Sequence, residues 1–119
     1  DTAPAVDLIP KDTVICDWHY ERADQTAVFF AMNGLSVVTC PWKNPDTAAA
    51  QVRDMVRFRQ TSSRAMRDRF LGVVQTVWSG SGSFLDQLSG RRPGDDAKRP
   101  GHTEANCFKR VFDEIAALK

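Results

Sequence analysis

Residues 14–21 read VICDWHYE: two β-branched residues and a cysteine, then an acid, an indole, an imidazole, a phenol and a second acid. Residues 13–16 predict a short buried strand, because β-branched side chains dominate and turn residues bound them. The polar groups then gather where that strand ends. The design recurs as VVTCPWK at 37–43 and as VVQTVWS at 73–79, each an apolar run that ends at a tryptophan. Trp18, Trp42 and Trp78 are 24 and 36 residues apart, room for one β-α unit in each interval.

The intervals carry helical signals. AVFFAM and LSVVTC flank Asn33-Gly34, and that dipeptide alone predicts a hairpin. The competing reading makes residues 23–33 a helix stopped by Gly34 in the left-handed position after its last turn. Ala, Met and Gln favour helix, and the strand-then-helix rhythm downstream agrees, so helix is preferred. Residues 35–40 predict the second strand. Asn44-Pro45-Asp46 is a helix opening, with a cap residue, a first-turn proline and an acid at the positive end of the dipole. From there to about residue 67, Ala48, Val52, Met55, Val56 and Met66 fall on one face, and Arg53, Arg57 and Arg64 on the opposite, solvated one. Arg59 sits inside the apolar stripe and is expected to be a structural tether to a carboxylate or to helix-end carbonyls.

Residues 72–77 predict the third strand. SGSGSF after it supplies flexible glycines but not the Lys-Ser/Thr pair of a phosphate loop. RRPGDDAKRPG, at 91–101, reads as a polar loop. Thr103 caps a last helix expected to bury Phe108, Val111, Phe112, Ile115 and Leu118. The fold class is therefore α/β, one domain of three consecutive β-α units with parallel strands and right-handed crossovers. A lead-in occupies residues 1–12, and the units run 13–34, 35–69 and 70–119, the last with a loop at 90–102. All three tryptophans fall at the carboxyl ends of the strands, where such folds gather ligand groups.

Composition narrows the function classes. At 119 residues, 42% apolar and 26% charged, the chain is an ordinary globular domain. Sixteen basic against fifteen acidic residues leave a net charge of +1, so no pull toward nucleic acid or membrane is expected. No apolar run reaches the length of a membrane span, and no basic-then-apolar signal opens the chain. A signal peptide removed earlier, or carried by a longer parent, leaves the compartment open, with a secreted or periplasmic parent as one option. Cys16, Cys40 and Cys107 are odd in number and lack a CxxC, which argues against a disulfide framework or zinc site. All three read as small buried apolar residues.

Several indoles at the mouth of a parallel sheet suit sugar rings, whose C–H faces stack on aromatics while their hydroxyls bond nearby polar groups. The bland alternative is that they cap the core. Asp17, His19 and Glu21 alternate and would share a face as metal ligands only if the strand stayed regular, so neither a metal nor a cofactor is expected. Asp113-Glu114 is a dyad in writing only, since neighbours on a helix point apart.

DTVICDWHYE, GLSVVTCPWK and RFLGVVQTVWSG together resemble the last three barrel strands of family 20 glycoside hydrolases, the β-N-acetylhexosaminidase-like proteins. The resemblance covers about residues 12–118. It implies that the three units are strands six to eight of a (β/α)₈ barrel, with Trp18, Trp42 and Trp78 stacking on the sugar and its acetamido group. It makes Asp17 a candidate for bonding sugar hydroxyls, and His19 and Tyr20 complete the expected substrate-binding set. Where the family carries Tyr-x-Asp after strand seven, this chain reads Pro41-Trp42-Lys43-Asn44. Where it carries a glutamate two residues after the strand-eight tryptophan, this chain has Gly80. The family's catalytic Asp-Glu pair ends strand four and has no counterpart here, so the implied role is a pocket wall without the catalytic carboxylates. Association with copies of itself or with the rest of a barrel is expected, because an open sheet has bare edges. The alternatives are a non-catalytic carbohydrate-binding module and, more remotely, a nucleic-acid binder using its arginine-rich helix.

Overall fold

The structure, a computed structural model, describes residues 3–92, 94 and 98–118. Its three strands are β1 (Val14–Asp17), β2 (Ser36–Thr39) and β3 (Phe70–Val73), paired in parallel in the order β1-β2-β3. A 3₁₀ turn over Ala3–Leu8 leads in. The helices are α1 (Thr26–Met32), α2 (Pro45–Thr61), α3 (Arg64–Arg67), α4 (Ser81–Ser89) and α5 (Glu104–Ala117). The α/β class and the alternation of strand and helix are as expected.

Asn33-Gly34 ends α1 rather than turning a hairpin. Gly34 has φ +85°, its amide donates to Ala31 O at 3.1 Å, and the Leu35 amide donates to Phe30 O at 3.0 Å. Those two bonds are the paired closure of a Schellman motif, which needs a left-handed residue at the glycine. Asn44 caps α2 as predicted, its side-chain oxygen accepting from the amides of Asp46 and Thr47. The helix stops at Thr61 and not near residue 67. Ser62 and Ser63 have ψ of 159°, and the short α3 follows. Serines favour such end positions over helix interiors.

Strand order without reversal places both crossover helices on one face of the sheet. Ile15, Val37 and Phe70 pack there against Ala27 and Ala31 of α1 and Met55 and Phe58 of α2. Val73 packs against Ala48 and Val52 of α2 and Cys107 and Val111 of α5. Phe70 and Val73 lie three apart yet face the same way, because β3 carries a bulge: Val37 pairs with Phe70, and Val38 with Gly72. Gly72 takes up the extra residue at φ +132°. β3 thus starts two residues before, and ends four residues before, the strand expected over 72–77. Pairing continues past Val73, with the Val74 amide on Thr39 O and the Thr76 amide on Pro41 O, each at 2.9 Å.

No helix among the described residues covers the opposite face of the sheet, and Val14, Cys16, Leu71 and Val74 are exposed. Cys16 therefore departs from the buried role expected of all three cysteines, while Cys40 and Cys107 keep it.

Two corrections concern the last unit. SGSGSF opens a helix, α4, whose Phe84 ring meets Phe108 of α5 at 5.5 Å. Glycines at 80 and 82 hide the Phe84–Leu88 spacing that builds it. In α5 the buried stripe is Glu104, Cys107, Val111 and Glu114, whereas Phe112, Ile115 and Leu118 are exposed. Small residues let α5 approach α2 closely, and Arg53 of α2 bonds Glu114 at 2.7 Å. Arg59 is a tether, although its partner is a strand carbonyl, Phe70 O at 2.5 Å. Part of the polar loop, residues 93 and 95–97, lies outside the described residues.

A Cβ at position 72 would meet nothing within 4 Å, so only the backbone opposes one. Gly72→Ala is expected to lower the unfolding free energy in urea by about 1–3 kcal/mol through φ strain alone. A variant as stable as the parent removes the bulge from this account.

Candidate functional site: an aromatic wall at the strand ends

Each strand delivers one tryptophan to the same end of the sheet, and Tyr20 joins them. The rings of Trp18 and Trp78 lie 6.3 Å apart at 31°, Tyr20 meets Trp18 edge-on at 5.9 Å, and Tyr20 meets Trp42 at 5.3 Å. The Trp78 indole N–H donates to the Tyr20 hydroxyl at 2.9 Å. These separations are those of rings in direct contact, so no ligand ring fits between Trp18 and Trp78. What they offer is their outer surface, with Trp18 61% and Trp78 63% exposed. Trp42 differs: Tyr20 and the Lys43 ammonium, 4.3 Å from its centroid, both crowd its ring. Two indoles form the open surface and the third buttresses them.

The support behind the wall is a residue that sequence reasoning missed. Glu104, in the first turn of α5, is 1% exposed. Its Oε1 accepts from the Trp42 indole N–H at 2.6 Å, the Trp78 amide at 2.7 Å and the Ser79 amide at 3.2 Å. Its Oε2 accepts from the Ser79 hydroxyl. Burial pushes this carboxyl's pKa up. The Ser79 hydroxyl, the Trp78 amide, the Trp42 indole and the Ser79 amide outweigh that and hold it below the usual 4.5. Only the acid's place after the Thr103 cap was visible in the chain. Its partners lie 62, 26 and 25 positions away.

The strand ends are laced further. The Gln75 amide donates to Trp42 O at 2.7 Å and the Thr76 hydroxyl to Pro41 O at 2.7 Å. Buried Gln51 of α2 donates to His19 O at 2.8 Å and fixes the segment after β1.

The other expected site residues lie behind the wall or beside it. Asp17 is 7% exposed, accepts from the Thr26 hydroxyl at 2.5 Å, and has His19 Nε2 3.6 Å from its other oxygen. Asp17, Trp18, His19 and Thr26 line a pocket of about 240 Å³ with Ile15, Cys16 and Phe30. Glu21 turns away to pair with Arg99, so the alternating acid-histidine-acid set does not converge. Among the described residues no group of three or more His, Cys, Asp or Glu comes together as metal ligands. Of the arginines expected on a solvated face, Arg53 bonds Glu114 and Arg57 bonds Asp54 at 2.8 Å. Glu114, half of the written dyad, also lies 3.4 Å from Arg110 and is structural. Burial raises the Cys40 and Cys107 thiols to about 12, Cys40 with help from the neighbouring Cys16, so both stay protonated at neutral pH. No helix among the described residues is long and apolar enough to cross a membrane. No family model and no curated protein matches this chain.

Glu104 titrates lower in the folded chain than in the unfolded one. Its contribution is therefore complete above its unfolded value and is lost as pH falls through the depressed folded value. The midpoint of urea unfolding is expected to hold steady from neutrality down to about pH 4.5, then fall as the carboxylate is protonated. A midpoint that drops near neutral pH contradicts this assignment.

Proposed function

We propose that this chain supplies the aromatic wall of a sugar pocket in a (β/α)₈-type glycoside hydrolase acting on N-acetylhexosamine-type sugars. One observation carries the reading: three consecutive parallel strands each send a tryptophan to the same end, and two of those indoles present open faces. Exposed indoles held rigid from behind are suited to the apolar face of a sugar ring. Hydroxyls and amides of the sugar would find the Tyr20 hydroxyl, His19 and the strand-end backbone at the rim.

The barrel part of the proposal rests on the winding. A sheet whose strands run in sequential order, with all helices on one side, is the local pattern of a closed barrel, in which the bare face becomes the packed interior. The exposed Val14, Leu71 and Val74 on that face, and the exposed Phe112, Ile115 and Leu118 of α5, support this reading, since further units packed on the chain would cover such apolar groups. The chain alone is then expected to self-associate or to bind the remaining units.

A second reading is a binding module without turnover. The two buried acids behind the wall favour it, since Asp17 and Glu104 are both engaged by protein donors. Neither is free to protonate a leaving group or activate water.

Titration with N,N′-diacetylchitobiose, followed by tryptophan emission, tests both readings. Trp78→Ala is expected to weaken binding by about tenfold or more, a loss of about 1.4 kcal/mol. No binding to the unaltered chain overturns the sugar reading. Hydrolysis of an aryl N-acetylglucosaminide by this chain alone contradicts the view that the catalytic pair lies elsewhere. Light scattering that finds only a monomer, with no tendency to self-associate as concentration rises, contradicts the partial barrel.

A further inference from the structure

We infer that Glu104 is a positioning residue that sets the angle of the ligand-facing indoles; the ligand half of this inference rests on the sugar reading above. The contacts close into a ring. Glu104 holds the Trp42 indole, Trp42 packs on Tyr20, Tyr20 accepts from the Trp78 indole, and the Trp78 amide returns to Glu104. Of the wall's four rings only Trp18 stands outside this cycle. Trp18, which no hydrogen bond holds through its indole among the described residues, leans on Tyr20 and Trp78.

The cycle defines what the wall needs from position 104. Three N–H donors converge on one oxygen, so the group must reach that point and must present no hydrogen there. Reach matters more than charge. A glutamine keeps the Oε1 acceptor and turns its amide toward the Ser79 hydroxyl, which can rotate to accept. An aspartate keeps the charge and the favourable place in the first helical turn but falls one methylene short of the Trp42 indole and the 78–79 amides. A residue that merely stabilised α5 would show the reverse order, because acids favour a helix start and amides do not share the dipole term.

Three variants separate these outcomes: Glu104→Asp, Glu104→Gln and Thr103→Ala. Thr103 accepts from the Asn106 amide at 3.1 Å and caps the same helix without touching an indole. It therefore reports helix stability alone. Iodide quenching of tryptophan emission in the free protein is the ligand-independent readout. Glu104→Asp is expected to raise the accessible fraction, and Glu104→Gln and Thr103→Ala to leave it near the parent value. In diacetylchitobiose titrations Glu104→Asp weakens binding about tenfold, while the other two stay within about threefold. If Thr103→Ala raises quenching as much as Glu104→Asp does, or if Glu104→Asp leaves it unchanged, the positioning role is wrong. If the parent chain binds no chitobiose, the sugar reading fails, and the quenching order still decides the role of Glu104.

Discussion

A single buried carboxylate takes four hydrogen bonds from two strand ends, and the arrangement of the aromatic groups depends on it. Burying an ionised acid is unfavourable unless donors replace its water. Here the Ser79 hydroxyl, two backbone amides and an indole N–H do so, which makes Glu104 a fixed point rather than a liability. The same bonds are charge-assisted and so stronger than neutral ones. Helix α5 thereby joins the C-terminal ends of β2 and β3, and through Tyr20 the end of β1.

The sheet beneath this junction is asymmetric. Sequential strand order commits both crossover helices to one face, where α5 packs as well, so Ile15, Val37, Phe70 and Val73 are covered while Val14, Leu71 and Val74 are not. Aromatic groups at the strand ends belong to neither layer. They stand where a parallel sheet presents its ligand-facing edge. The bulge at Gly72 keeps these two requirements compatible. It lets Phe70 and Val73 both enter the helical core, after which β3 still runs on beside Thr39 and Pro41 and carries Trp78 to the level of Trp42.

Local chemistry made much of this legible in the chain. The β-branched runs marked the strands, Asn44-Pro45-Asp46 marked the start of α2, and Gly34 marked the end of α1, because each depends on neighbours within a few residues. The tryptophan spacing alone puts all three indoles at one end of the sheet. Features set by distant partners were not legible. The α5 stripe that is buried was decided by Ala48 and Val52 of α2, which accept small Cys107 and leave bulky Phe112 outside. Helix α4 was hidden by glycines whose weak propensity packing of Phe84 on Phe108 overrides. Cys16 was assigned to the interior by its strand, but the strand has only one covered face. Glu104 gave no sign of its importance, since nothing at positions 101–107 points to Trp42.

Hydrogen exchange of the three indole N–H groups, followed by NMR, tests the central claim most directly. The Trp42 N–H, held by a buried carboxylate, is expected to exchange slowest, the Trp78 N–H on Tyr20 next, and the Trp18 N–H fastest. A Trp42 indole that exchanges as fast as that of Trp18 would mean that Glu104 does not hold the wall, and the account built on it would fall.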